Sequence, residues 1–345
     1  MTDEVILRVE NGLGRITLNR PAALHALNEA MCHAMDAALR GWAQDGAVRA
    51  VLVDHTGPRG FCAGGDIRML AESGAGDGRV ARAFFAAEYK LNTLIQGYPK
   101  PYVAILDGIT MGGGVGISVH GTYRVATERT VFAMPETGIG LFPDVGGGWF
   151  LPRLPGEIGC WLALTGARIR ADDCVYAGVA THFTPSAEIE ALKAALIAGG
   201  DAGGVLAAAD RKPGEAPLAA HRAAIDGLFA HYRAEDIFAA LAADGGEWAA
   251  AQLKELRTKS PQTIKVALRQ IRTGARLSAF ADVMRMEYRI ASRVVRRHDF
   301  LEGVRAVIVD KDNAPRWSPE TLEGVSEAML DDIFAPLPAG EELAL

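Results

Sequence analysis

Between Arg129 and Arg153 the chain reads TVFAMPETGIGLFPDVGGGWFLP, and its only charged residues are Glu136 and Asp144. Surface loops are seldom so apolar, so the pattern predicts two carboxyls in a partly desolvated setting. Desolvation disfavours the charged form and raises a carboxyl pKa, which suits the group to base or nucleophile work near neutral pH. Each acid also has a purely structural explanation. Glu136 follows Pro135 and could open a helix, where the N-terminal dipole favours an anion. Asp144 could cap a helix over 146–151. The residues alone leave both explanations standing.

A second source of chemistry lies in two glycine-rich stretches, Phe61-Cys62-Ala63-Gly64-Gly65-Asp66-Ile67 and Met111-Gly112-Gly113-Gly114-Val115-Gly116. Each follows a β-prone run and precedes a helical one. A glycine at a helix start leaves a backbone N–H unpaired and sterically open. Two such N–H groups converging on one point make an oxyanion hole able to polarise a thioester carbonyl. The plainer alternative is that these glycines serve tight turns and close packing.

Other near-signatures fail. Gly116-Ile117-Ser118-Val119-His120 departs from the nucleophile elbow GxSxG at its last residue. Gly112-Gly113-Gly114-Val115-Gly116 lacks dinucleotide-fold spacing, and Gly146-Gly147-Gly148 lacks the Lys-Ser/Thr of a phosphate loop. The eight histidines, His33 and His182 among them, fall into no metal-ligand spacing, so no metal site is expected. The four cysteines, Cys32, Cys62, Cys160 and Cys174, form no CxxC and read as reduced thiols.

These residues must be positioned by elements that the sequence also outlines. The 345 residues, 49% hydrophobic and 23% charged, suffice for one large or two modest domains and exclude disorder. With 36 basic and 42 acidic residues, the net charge of −6 offers no footprint for nucleic acid or an anionic membrane. The apolar stretch 109–119 is too short and glycine-rich to span a bilayer. The start, MTDEVILRVE, shows no targeting pattern, and a cytoplasmic protein is the expectation.

Ile6–Val9 and Arg15–Leu18 read as a hairpin through Asn11-Gly12. Asn28 opens a helix with Met31, Met35, Ala38, Leu39 and Trp42 on one face. A buried strand at Ala50–Val53 leads to a loop at Gly60–Asp66 and a helix from Ile67. A helix over 79–96 is followed by a strand at Tyr102–Leu106, a loop at Gly108–Gly114 and a helix over 115–120. This alternation predicts an α/β layer architecture. From Ala187 to about Gly246 an Ala- and Gly-rich stretch reads as helical, and Ser260-Pro261 opens a further helical segment.

The strings FCAGGDIR, ITMGGGVGISVHGTYRVAT, FAMPETGIGLFPDVGGGWFLPRL and ALTGARI resemble the crotonase (enoyl-CoA hydratase/isomerase) superfamily over roughly residues 4–185. SPQTIKVALRQIR, MEYRIASRVVRRHDFLEGVRAVIVDKD and APRW extend the likeness to its hydrolase branch. The resemblance implies a crotonase-type spiral of ββα units with a helical C-terminal region. The spiral would occupy 1–186 and carry the CoA site and the catalytic residues. A variable helical segment would span 187–255 and the helical C-terminal region 256–345.

It further implies an oxyanion hole from the N–H groups of Gly65 and Gly113, with Glu136 at the catalytic acid/base position. Asp144 matches the second acid of the hydrolase branch. Glu88 matches a substrate-contacting glutamate, against the alternative of a surface salt bridge, and Asp66 and Ile67 should border the CoA adenine. Hydratases carry a second glutamate two residues beyond the glycine triplet, where this chain has Gly116. The implied activity is therefore thioester hydrolysis of 3-hydroxyisobutyryl-CoA in valine breakdown, with 3-hydroxypropionyl-CoA as a second substrate. An enoyl-CoA hydratase or isomerase, or a non-catalytic acyl-CoA binder, is the alternative. No metal or redox cofactor is implied, since CoA arrives with the substrate, and a homo-oligomer is compatible with the family.

Overall fold

A computed structural model describes residues 2–345. They form two compact units, each assembled from three stretches of chain. The first comprises residues up to Gly65, Lys90–Ala133 and Arg168–Ala220; the second comprises Asp66–Tyr89, Met134–Ala167 and His221–Leu345.

In the first unit, β1 (Val5–Glu10) and β2 (Leu13–Leu18) form the expected antiparallel hairpin. Asn11 and Gly12 both take positive φ, 46° and 77°, as a two-residue turn between twisted strands requires. The following helix, Glu29–Gln44, is capped by the Asn28 side chain, which accepts from Met31 N–H at 2.9 Å. Met31, Met35 and Leu39 on its apolar stripe are buried.

Three strand pairs then repeat: β3 (Ala50–His55) with β4 (Gly60–Cys62), β5 (Tyr102–Leu106) with β6 (Ile109–Met111), and β7 (Tyr123–Ala126) with β8 (Val131–Ala133). Two short strands follow, β9 (Ile169–Arg170) and β10 (His182–Phe183). The first strand of each pair extends a six-stranded sheet, ordered β1-β2-β3-β5-β7-β10. The second joins a four-stranded sheet, β4-β6-β8-β9. Within both sheets the repeated strands pair in parallel. β5 is buried along its whole length, as a parallel strand covered on both faces should be. Leu13, Leu52, Val103, Ile105 and Val125 pack beneath Ile189, Leu192 and Leu196 of the helix Ile189–Ala198.

Two expected boundaries shift. The stretches Gly60–Asp66 and Gly108–Gly114 are not loops throughout, since each contains a three-residue strand, too short to show a period in sequence. The helix expected over 115–120 instead spans Gly113–Gly116. Ser118 lies just beyond it, and its hydroxyl donates to Gly114 O at 2.7 Å, a local back-bond that does not suit a nucleophile.

The second unit is mainly helical. Ser260 caps the helix Pro261–Gly274 through Thr263 N–H, with Pro261 at the first helical position. The helix Phe280–Val294 buries Val283, Met284, Ile290, Ala291 and Val294 on one face. The stretch 187–255 is helical, its residues to Ala220 belonging to the first unit and those from His221 to the second. No helix among the described residues is long and apolar enough to cross a membrane.

Candidate active site

In the first unit the two glycine loops meet. A methyl group built on Gly64, whose φ is +118°, would lie 3.7 Å from Met111 O and 3.8 Å from Gly113 N. Leu27 fixes the first loop: its N–H donates to Gly64 O at 2.8 Å, and it forms a parallel bridge with Gly65. In the second loop, Val115 and Gly116 N–H both return to Gly112 O. Gly113 N–H thus precedes the first intrahelical bonds, as the N-terminal amides of a helix must. Gly114 is required by contact rather than conformation, since a Cβ there would meet Cys62 O at 2.4 Å. Gly65 and Gly113 therefore occupy adjoining loops, as an oxyanion hole needs. Asp66 caps the helix Ile67–Gly74 by accepting from Met69 N–H at 3.4 Å, and both Asp66 and Ile67 are half-buried.

The second unit holds the acids. Glu136 is the first residue of a 3-10 turn, Glu136–Ile139, after Pro135, so the positional part of its structural explanation holds. A surface helix-opening acid would nevertheless be solvated, whereas Glu136 is 5% exposed and its Oε2 has no hydrogen-bond partner. Asp144, also 5% exposed, does not cap the short helix Gly147–Phe150 with its side chain. Its Oδ2 instead accepts from the Tyr89 hydroxyl at 2.8 Å.

Glu88 is not in a surface salt bridge. On the helix Arg79–Gln96 it lies on the stripe with Ala81, Phe84, Phe85, Leu91 and Ile95, is 2% exposed, and leaves Oε1 unpartnered. A fourth acid, Glu287 of the helix Phe280–Val294, is fully buried. Its Oε2 accepts from Gly146 N–H at 2.7 Å, and its Oε1 from Gly148 N–H at 2.8 Å and Gln270 Nε2 at 2.9 Å.

Among the described residues none of these four carboxyls pairs with a lysine, arginine or histidine. Burial therefore acts unopposed by any cation. It lifts Glu136 well above the ordinary carboxylate range, with Asp144 adding repulsion. It lifts Glu88 likewise, with Asp144, Glu136 and Glu287 adding to the effect. Asp144 is pushed up to about 6 by burial, against the Tyr89 hydroxyl and a backbone N–H that favour its charge. Glu287 is pushed up to about 8 by burial and, more weakly, by Asp144, while the glycine amides and Gln270 pull the other way. All four acids are thus displaced upward, the direction that suits a carboxyl to work as base or nucleophile.

Tyr89, Gln270 and Glu287 were not singled out by sequence. The available signal was position: Glu287 interrupts the apolar stripe of Val283, Met284, Ile290 and Ala291, as Glu88 interrupts its own. An acid on the buried face of an amphipathic helix marks a buried carboxyl.

The model of the enoyl-CoA hydratase/isomerase family matches residues 13–334. The chain is 46% identical to a mitochondrial 3-hydroxyisobutyryl-CoA hydrolase of Gallus gallus, over 97% of this chain and 89% of that one. It is 42% identical to the enzyme of the same name from Homo sapiens, with the same shares covered. Among solved structures it is similar to a carnitinyl-CoA dehydratase from Mycobacterium thermoresistibile. The TM-score there is 0.95 and the identity 42%, over 99% of both chains. An enoyl-CoA hydratase from Rhodobacter sphaeroides gives 0.92 and 43%, over 99% of this chain and 100% of that one. The ββα spiral with a helical C-terminal region is thereby shown. The expectation of a cytoplasmic protein is overturned, because the curated relatives are named as mitochondrial. That expectation rested only on the lack of a targeting pattern in MTDEVILRVE, and an absence carries no positive information about compartment.

Proposed function

The chain belongs to the enoyl-CoA hydratase/isomerase family, and from this premise we propose that it hydrolyses the thioester of 3-hydroxyisobutyryl-CoA to 3-hydroxyisobutyrate and CoA. The observation that carries the proposal is Glu136, a buried carboxyl with one unpartnered oxygen and, among the described residues, no neutralising cation, beside a second acid of raised pKa, Asp144. A protein that only bound acyl-CoA would have no need to bury two unpaired acids at this cost.

In this proposal the N–H groups of Gly65 and Gly113 hold the thioester oxygen and stabilise the negative charge that develops on it. Each such donor is worth about 3 kcal/mol in a transition state of this type. Glu136, ionised, either takes a proton from water as the water attacks, or attacks the carbonyl carbon itself to give a mixed anhydride that water then cleaves. In both routes the carbon–sulfur bond breaks and the thiolate takes up a proton. Single turnover in heavy-oxygen water separates them, since label entering Glu136 requires the anhydride. Asp144 orients the substrate hydroxyl and the water and can supply the proton to sulfur, its position near 6 permitting both states. Glu88 contacts the substrate, and Asp66 and Ile67 border the adenine. 3-Hydroxypropionyl-CoA is the second substrate, and no resident cofactor takes part.

The two solved relatives are named as a dehydratase and a hydratase, which makes hydration the second proposal to test. Adding water across a double bond needs a second acid/base group, and the position two residues past the glycine triplet is Gly116. Offered 3-hydroxyisobutyryl-CoA and crotonyl-CoA separately, the protein should release free thiol from the first and leave the second intact. Loss of the crotonyl double-bond absorbance without thiol release would instead establish a hydratase.

A further inference from the structure

We propose that Glu287 is a positioning residue whose carboxylate clamps the backbone that follows Asp144 and so fixes Asp144 for the thioester chemistry, an inference that rests on the hydrolase reading above. The two residues are 143 positions apart in sequence, yet the clamp brackets Asp144 from both sides. Ahead of it, Gln270 Nε2 donates to Pro143 O at 2.7 Å and, at 2.9 Å, to Glu287 Oε1. Behind it, the two Glu287 oxygens take the N–H groups of Gly146 and Gly148.

Between these anchors Val145 has φ +51°, the left-handed region that a β-branched residue rarely adopts. Such a conformation persists only where the surroundings over-determine it. Hydrogen bonds that pair the buried N–H groups of Gly146 and Gly148 with one side chain supply that constraint, since either donor left unpaired would be costly. Three donors converge on the two oxygens of Glu287, which a carboxyl can accept and an amide, with one oxygen and one N–H₂, cannot. The fit is close, since a Cβ on Gly148 would lie 3.1 Å from Glu287 Oε1 and 3.2 Å from Gln270 Cγ. The charged or titratable groups that act on Glu287 or feel its charge are Asp144, Glu88 and Tyr89. No cation pairs with Glu287 among the described residues, so the loop amides and Gln270 are the partners that hold it.

The test uses the full chain carrying Glu287→Gln, which keeps the shape but sets an amide N–H₂ against a glycine N–H. Amide exchange over residues 141–150 should quicken by about tenfold or more, and kcat should fall about 100-fold, as a small misplacement of a reacting group does, with KM within about twofold. In an Asp144→Asn background the same substitution should cost only about twofold more, because coupled residues are not additive. A full loss in both backgrounds, or an unchanged kcat in the folded variant, overturns the proposal. Unchanged exchange overturns it whatever the substrate. If wild type leaves 3-hydroxyisobutyryl-CoA untouched, the hydrolase reading falls while exchange still decides the clamp. Should Glu287→Gln not fold, Gln270→Met removes the Pro143 anchor and must show the same quickening and a smaller loss of kcat, and its failure to do so is equally decisive.

Discussion

Asp54 in the first unit and Glu136 in the second are both carboxyls shut away from solvent, at 1% and 5% exposure. Their surroundings are opposite. Asp54 Oδ2 meets Arg15 at 2.7 Å and Lys193 at 3.0 Å, and Oδ1 accepts from Thr17 at 2.6 Å. Burial pushes its pKa up, but Lys193, Thr17 and Arg15 together outweigh burial and hold it below its ordinary value. Glu136 has no such partner, and burial with Asp144 drives it the other way. Depth of burial is thus no guide to role; compensation is. A paired acid is part of the scaffold, while an unpaired one costs the fold and is retained for chemistry.

Replacing each acid with its amide should break this comparison if it is wrong. The largest effect is expected for Glu136→Gln: kcat for thiol release should fall about 10,000-fold, the upper range for loss of a general base, and more if Glu136 is the nucleophile. Its melting temperature should hold or rise, because an unpaired buried acid gives way to a neutral group. A variant that is destabilised and active would show Glu136 to be scaffold.

Asp54→Asn should do the reverse. Removing one partner of a buried pair costs about 3 kcal/mol, read by denaturant unfolding, while turnover by the folded fraction stays at the wild-type level. The sign with pH follows from the lowered folded-state value. The ionised Asp54 contributes fully above the unfolded value of 3.8, and that contribution is lost as pH falls through the lower folded value. The gap between wild type and variant should therefore close at acid pH. A gap that persists there would mean that shape rather than charge holds the site.

Much of this was legible in sequence because it is local. Asn11-Gly12 dictated its turn, Asn28 and Ser260 their helix starts, and the uncharged run around Glu136 and Asp144 foretold their burial. Assignment of strands to two sheets was not legible, since three-residue strands such as β4 have no period and the partner of β4, β6, lies some fifty residues away. The Glu287 contacts to Gly146 and Gly148 span 141 and 139 residues, and no local pattern encodes them. Glu88 is legible only through the buried stripe of Phe84, Phe85 and Leu91 on which it falls, which excludes a surface salt bridge.

The finest test separates the two causes of the raised Glu136 pKa, burial first and Asp144 second. Asp144→Asn should lower kcat about 100-fold through lost orientation of water and substrate, and its effect on the pH profile is more informative. Because Glu136 must be ionised to act, kcat/KM rises with pH along an acid limb that belongs to the interacting pair. Without the Asp144 charge, ionising Glu136 is easier, so the limb should move to lower pH and become a single step. The shift must be smaller than the whole displacement of Glu136, since burial remains. Each half unit changes the active fraction on the limb about threefold, well within reach of a thiol-release assay. A limb that stays in place would assign the displacement of Glu136 to burial alone. One that moves to higher pH would mean that Asp144 supports the charge on Glu136 rather than opposing it, and the two acids would have to be treated as a proton-sharing pair from the outset.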